Sequence, residues 1–519
     1  MAPSKSFGMC MYKTIFHVCL FCVLVCSSCH SQQNRTAELT SKYEFRAVWI
    51  ATVDNIDWPR KGQYNSEEQK RDFIRILDEH KRSNMNAVMV QVRDACDAYY
   101  AKGLEPWSEF LTGTQGKFPS PFYDPLDFMI QEAHARNMEF HAWLNLNRAT
   151  FKRAGSIMPE HISVTKPEWM IQYDGQKVLN FGIPEVRDYI VQVVIEILKN
   201  YDVDGIHFDD YFYPYPVPGQ QLNDLDTFRK YGAGYRNIED WRRSNTDILI
   251  QQIGEAIKRI KPYVKYGISP FGVWQNYSPI VKVGSKTQAG TTSYQTLYAD
   301  TRKWIEKGWV DYIVPQVYFE RSHPKVPYKV LTDWWSQHTY GRHLYIGHGI
   351  YKIKSGWNNA EATSQLRLDR SNANIQGGMF FSSKCLTENY GGIQDSLRAS
   401  LYHYPAIIPP MRWKDSIAPK PPQRVIALKD NGLNKLVWQP GEKASDGNEN
   451  VYFAVYRFEK AEKINLERID KILYVGRDVT FLDYTSERAR GYVYAVTSFD
   501  RLHNESTPTM VVVNYGDTR

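Results

Sequence analysis

Eight short apolar runs recur along residues 43–404, separated by amphipathic stretches. They are FRAVWIAT (45–52), AVMVQVR (87–93), EFHAWLN (139–145), DGIHFDD (204–210), YGISPFG (266–272), YIVPQVYF (312–319), LYIGHGI (344–350) and GGMFFSS (377–383). Runs of this length, rich in β-branched and aromatic residues, predict strands. Between them, PEVRDYIVQVVIEILKNY (184–201) opens on Pro184 and sets Val186, Ile190, Val193 and Ile197 on one stripe, which predicts a helix. Strands alternating with helices predict an α/β fold, a (β/α)8 TIM-like barrel over residues 43–410. A doubly wound sheet is the competing arrangement, but no glycine-rich phosphate loop follows the first run.

The pattern changes after IAPKPPQRV (417–425), where proline content rises. Residues 411–422 read as a linker. From 423 to 519 only short alternating runs occur, which predicts a small all-β sandwich domain. Their order resembles a fibronectin type III module, with Trp438 on an early strand and YVYAVTSFD (492–500) late. Trp438 is expected in its core. The module is expected to fold independently and to carry no chemistry.

At the other end, Lys5 and Lys13 precede the apolar run TIFHVCLFCVLV (14–25), too short to span a bilayer as a mature helix. Residues 1–28 read as a lipoprotein signal peptide and 29–42 as a polar tether. CSSC (26–29) is similar to a bacterial lipoprotein cleavage site, which implies lipidation of Cys29 and attachment to the membrane through that lipid. Plain secretion is the alternative. The expected location is the bacterial cell envelope, at the outer membrane or on the periplasmic or surface side.

Composition narrows the partners. The net charge is +7 and no basic run is interleaved with aromatics, which argues against nucleic acid. Aromatics make up 14%, enough both for a core and for stacking on the apolar faces of sugar rings. Of seven cysteines, only Cys96 and Cys385 remain once the leader and Cys29 are set aside, so no disulfide framework is expected. No Cys/His spacing calls for zinc, and no metal or cofactor is expected.

Alternation along the strands selects the side chains facing the barrel interior. With Ile206 and Phe208 against the helices, His207 and Asp209 point inward. The same logic turns Gln91 and Arg93, His141, Trp143 and Asn145, and Gln316, Tyr318 and Glu320 inward. These converge on the C-terminal end of the barrel, where sites of this fold lie. Buried polar groups are costly unless paired or used.

Glycoside hydrolysis needs two carboxyl groups flanking the scissile bond. Asp209 is the first. The second is Asp210, if the chain turns at the strand end, or Glu320; Asp94 and Asp97 stand further out. His207 is expected to orient Asp209, and Tyr211 and Tyr213 to wall a sugar subsite. A chitinase-type DGxDxDxE signature does not fit, because His207 and Tyr211 stand where an acid is required. Two further readings stay open: a non-catalytic glycan binder, and a metal-dependent deacetylase using His141, His207 and Asp209.

The blocks EFRAVWIATVDNIDWP (44–59), VQVRDACDAYYAKGLEPWSEFLTG (90–113), DPLDFMIQEAHARNMEFHAWLNLNR (124–148), YDVDGIHFDDYFYP (201–214), ISPFGVW (268–274) and DYIVPQVY (311–318) together resemble the glycosyl hydrolase-like 10 family. The resemblance implies a TIM-like barrel on an exported lipoprotein and glycoside hydrolase activity, with peptide-free peptidoglycan strands as one substrate. It brings Asp94 and Trp274 into the expected substrate-binding set, beside Gln91, Arg93, His141, Trp143, Asn145, His207, Tyr211, Tyr213, Gln316 and Tyr318. The sequence departs from the family in NLNR (145–148) and in Glu320 after the sixth strand.

Overall fold

A computed structural model of the chain describes residues 41–487 and 490–514. Its first part is a parallel barrel built from β1 (Phe45–Ile50), β2 (Ala87–Arg93), β3 (Glu139–Leu144), β6 (Gly205–Phe208), β7 (Lys265–Ile268), β8 (Tyr312–Ile313), β9 (His343–Leu344), β10 (Ile346–His348) and β11 (Gly377–Phe380). A small antiparallel hairpin, β4 (Met170–Tyr173) and β5 (Gln176–Leu179), is inserted between β3 and β6. β9 and β10 are two halves of one stretch, interrupted at Tyr345. β9 pairs with β8 and β10 with β11, so that stretch closes the ring and eight strand positions result.

Helices follow the strands, and the interval 184–201 shows why. The helix Pro184–Asn200 opens on proline and buries Val186, Ile190, Val193 and Ile197 against the barrel. The outward strand residues, including Val88, Val90, Ile206, Phe208 and Ile268, join this layer. The inward residues form a second core of Phe45, Ala47, Trp49, Met89, Trp143 and Tyr312, with others.

Two inward positions are glycine for a steric reason. A Cβ on Gly205 would sit 2.2 Å from Nδ1 of His141, and one on Gly267 would sit 1.8 Å from Cζ of Tyr312. The rings of His141 and Tyr312 therefore fill the barrel axis at the level where β6 and β7 contribute no side chain.

The second part holds two antiparallel sheets. One contains β12 (Gln423–Asp430), β13 (Leu433–Gln439) and β16 (Thr480–Asp483); the other contains β14 (Tyr452–Glu459), β15 (Ile472–Gly476), β17 (Tyr492–Phe499) and β18 (Thr509–Val513). Between them pack Leu436, Trp438, Phe453, Val455, Tyr494 and Val496. The other face of the four-stranded sheet is also covered: Tyr452, Ala454, Tyr456 and Phe458 pack with Ala406 and Ile407.

This part sits at the N-terminal end of the barrel strands. Leu502 enters the interior core with Ile408 and Met411. His503 reaches Glu139, the first residue of β3, at 2.7 Å. Arg501 forms a two-pronged ion pair with Asp202, at 2.8 and 2.9 Å. The sandwich therefore plugs the barrel floor, a docking that argues against a freely separable module.

Candidate active site

At the opposite, C-terminal end the strand ends and following loops enclose a cleft of about 490 Å³, in the usual range for small-molecule sites. Trp49, Gln91, Trp143, Asp209, Asp210 and Ser269 form its floor, and Arg148, Tyr211, Tyr215, Phe271, Gln316 and Tyr318 its walls. Both aspartates reach the cleft because β6 ends at Phe208. Beyond that point the strict alternation of a strand no longer applies, so two successive side chains can face the same space.

Asp209 is held from three sides. Its carboxylate accepts from Trp143 Nε1 at 3.1 Å, Asn145 Nδ2 at 3.1 Å and the Tyr211 amide at 3.2 Å. Asp210 accepts from the Tyr215 hydroxyl and from Gln316 Nε2, the latter at 3.0 Å. Burial, followed by the charge of Asp210, pushes the Asp209 carboxyl up to about 6, against the lowering effects of Arg148 and the hydrogen bonds. Burial also raises Asp210, opposed by Tyr215, Gln316 and Arg148. Arg148 is the cation facing both acids; its guanidinium stands 4.9 Å from the Tyr211 ring centroid. Asn145 ties this arrangement together, because its Oδ1 accepts from the Arg148 amide at 2.9 Å while its amide nitrogen holds Asp209.

Of the other residues singled out by the sequence, Gln91, Trp143, Tyr211, Gln316 and Tyr318 line this cleft, and Asn145 braces it from behind. Arg93 does not face it. The β2–β3 register shifts between Gln91 and Arg93, and this irregularity turns Arg93 out to a buried ion pair with Glu105 at 2.7 Å. Asp94 is buried beside Asp97, its carboxyl pushed well up by burial and then by the Asp97 charge. Glu320 is half-buried and does not line the cleft.

His141 and His207 point inward but lie below the cleft. His207 meets Trp49, Ser269 and Tyr312 instead of Asp209. The Tyr312 hydroxyl stands between the two histidines, at 2.8 Å from His141 and 3.1 Å from His207, where a deacetylase metal would have to sit. Tyr213 packs in the outer layer between Phe181 and Tyr298. Trp274 stacks on Trp334 at 5.5 Å and donates to Asp300, away from the cleft. Cys29 lies outside the described residues.

Several lining residues escaped the sequence reading. Trp49 was accessible to it, since Ala47, Trp49 and Ala51 share the inward face of β1. Arg148 stands within the NLNR block, and Tyr215 directly follows the aromatic run. Phe381 sits two residues after the inward Met379 in the predicted run 377–383, so alternation could have found it, whereas Tyr351 and Lys352, in the short helical turn Ile350–Ser355, carry no local signal.

A parallel barrel with two buried acids in an aromatic cleft at its C-terminal end has the architecture of a glycoside hydrolase. The chain belongs to the glycosyl hydrolase-like 10 family, whose model matches residues 44–364. It is 44% identical over 480 residues to glycosyl hydrolase YngK of Bacillus subtilis (strain 168), covering 91% of this chain and 93% of that protein. It is 40% identical over 333 residues to glycosyl hydrolase DigH of Escherichia coli (strain K12), covering 60% and 74% respectively. The glycoside hydrolase domain of PgaB (BpsB) from Bordetella bronchiseptica overlays 69% of this chain and 98% of that one, at 12% identity and a TM-score of 0.45. Family membership supports a glycosidase-type function.

Proposed function

We propose that the protein is an exported glycoside hydrolase that cleaves O-glycosidic bonds of a polysaccharide or oligosaccharide, with peptide-free peptidoglycan strands as the first substrate to try. The observation that carries this reading is the pair Asp209 and Asp210, buried side by side with both carboxyls raised and facing one aromatic cleft. Two such groups cannot both ionise freely. Burial, with the Asp210 charge added to it, favours the proton on Asp209, which makes Asp209 the general acid that protonates the leaving oxygen. Asp210, oriented by its hydrogen bonds from Tyr215 and Gln316, then attacks the anomeric carbon or activates water. Arg148 balances the charge as the proton leaves. Tyr211, Tyr215 and Phe271 supply ring faces for the sugar.

The non-catalytic glycan binder is the second reading, favoured by the same aromatics. Digestion of a glycan panel, including peptide-free peptidoglycan, separates the two. The full-length protein should release shorter glycans, while Asp209→Asn and Asp210→Asn stay folded and lose turnover. A protein that binds glycans from this panel but cleaves none, or an active folded Asp209→Asn variant, would overturn the hydrolase reading.

Two further assignments belong to the same proposal. The leader and CSSC (26–29) support export as a lipoprotein anchored through Cys29 in the cell envelope. The seven strands in sheets of three and four support a fibronectin type III-like module at the C-terminus.

A further inference from the structure

A file of hydrogen-bonded side chains runs along the barrel axis, from the C-terminal module to the cleft floor. His503 Nε2 meets Glu139 Oε1 at 2.7 Å, and Glu139 Oε2 meets His141 Nε2 at 3.0 Å. His141 Nδ1 meets the Tyr312 hydroxyl at 2.8 Å, and that hydroxyl meets His207 Nδ1 at 3.1 Å. His207 Nε2 ends the file, 3.2 Å from Trp49 Nε1 and 3.0 Å from Ser269 Oγ. Trp49 and Ser269 both line the cleft. Glu139, His141, His207 and Tyr312 are fully buried, and each is accounted for by its neighbours in the file.

The Trp49 hydrogen bond to His207 selects one proton arrangement. An indole N–H can only donate, so His207 Nε2 must be bare and its proton must lie on Nδ1. That Nδ1–H donates to the Tyr312 oxygen. The Tyr312 O–H therefore donates onward to His141 Nδ1, which must also be bare. The His141 proton lies on Nε2 and donates to the Glu139 carboxylate. Read from the other end the answer is the same: Lys265 and His503 both bond Glu139, and burial is outweighed by these partners, which hold Glu139 as an anion and hence an acceptor. Burial also keeps His207 neutral.

We infer that Tyr312, His141 and Glu139 are positioning residues that lock His207 as an acceptor, so that its Nε2 holds the Trp49 indole N–H inward and fixes Trp49 as an apolar floor for the sugar. With its N–H committed to His207, Trp49 presents only carbon to the cleft, the surface a pyranose stacks on. Gly205 and Gly267 make the file possible, because any side chain at either position would collide with His141 or Tyr312. Ser269 couples the file to the acids: its carbonyl accepts from Gln316 at 2.9 Å, and the same Gln316 amide holds Asp210 at 3.0 Å.

The inference rests on the proposed glycan-cleaving role of this cleft, and its test is chosen to fail separately. Side-chain nitrogens of 15N-histidine-labelled full-length protein report each tautomer at neutral pH without substrate, with His141→Asn and His207→Asn used for assignment. His207 is expected as the Nδ1–H form and His141 as the Nε2–H form. Tyr312→Phe deletes one hydroxyl, and the His207 signal should then move towards the other tautomer. On a cleaved glycan its KM should rise about tenfold, the worth of one buried hydrogen bond, with kcat within about threefold. A wild-type His207 protonated on Nε2, or on both nitrogens, overturns the inference, as does a folded Tyr312→Phe with unchanged tautomer and KM. If Tyr312→Phe does not fold, the wild-type tautomers decide alone. A wild-type protein that cleaves no glycan would sink the hydrolase reading and leave the tautomer measurement standing.

Discussion

Replacing Asp209 by Asn should change how the stability of the protein depends on pH, in a direction the structure sets. The Asp209 carboxyl is raised from 3.8 to about 6, burial being the largest cause. At about 1.4 kcal/mol for each tenfold in acidity, that difference is worth about 3 kcal/mol. A raised acid means that the folded state disfavours the charged form. Below pH 4 both folded and unfolded chains hold the proton and nothing is lost. As pH climbs from about 4 to about 6 the unfolded chain ionises first, and the folded wild type loses up to about 3 kcal/mol. The Asn variant has no charge to bury, so relative to wild type it should gain that amount across the same window. A fixed penalty offsets part of this, because Asn keeps one accepting oxygen and its amide nitrogen cannot take over the bonds made by the other, either those from Trp143 and Asn145 or that from Tyr211; each lost bond costs about 1 kcal/mol at any pH. The expected result is therefore a slope. The melting temperature of Asp209→Asn minus that of wild type, measured by thermal unfolding at pH 4.5, 5.5, 6.5 and 7.5 at constant ionic strength, should rise by a few degrees. Parallel curves would show that Asp209 ionises as freely folded as unfolded. The proton assigned to it in the proposed mechanism would then have no basis.

Asp210→Asn should lower kcat by about 10²–10⁴-fold, whereas Glu320→Gln, outside the cleft lining, should stay within about threefold of wild type; steady-state kinetics on a cleaved glycan check both. Leu502→Ala leaves a hole in the barrel interior and should cost about 2–5 kcal/mol, seen as a lower melting temperature with the transition of the barrel itself affected. A chain ending at residue 418 should be less stable still; a truncated barrel as stable as the full chain would refute the plug. Cys29→Ala should move the protein from the membrane to the soluble fraction on cell fractionation, since anchoring depends on the acylated residue.

Much of the fold was legible because parallel barrel strands are buried on both faces and advertise themselves as apolar runs. Each of the eight runs contains a strand or, at 344–350, a split one. That split was not legible, because nothing in LYIGHGI marks where the pairing passes from β8 to β11. Inward and outward faces followed from alternation at His141, His207 and Asp209, yet alternation does not measure depth. His141 and His207 face inward, but a layer below the cleft. Arg93 was turned by a register irregularity that has no marker in AVMVQVR. Tyr213 and Trp274 follow their strands in loops, where no period operates, and both are packed into the layer outside the barrel. The same absence of period hid Tyr351, which joins the acids in lining the cleft only in three dimensions.

The plug at the barrel floor also imposes an order of events on the chain. The last barrel strand ends at Phe380, but the interior is not filled until Leu502 arrives. That is more than a hundred residues later, on the order of 5–25 s at a ribosome's usual pace of 5–20 residues per second. Until then Ile408, Met411 and the feet of the strands have no lid. A transcript truncated between Phe380 and Leu502 would encode all eight barrel strand positions and both acids, yet lack the leucine that covers the base. The end of the barrel opposite the cleft is thus covered by a residue that leaves the ribosome long after the last barrel strand.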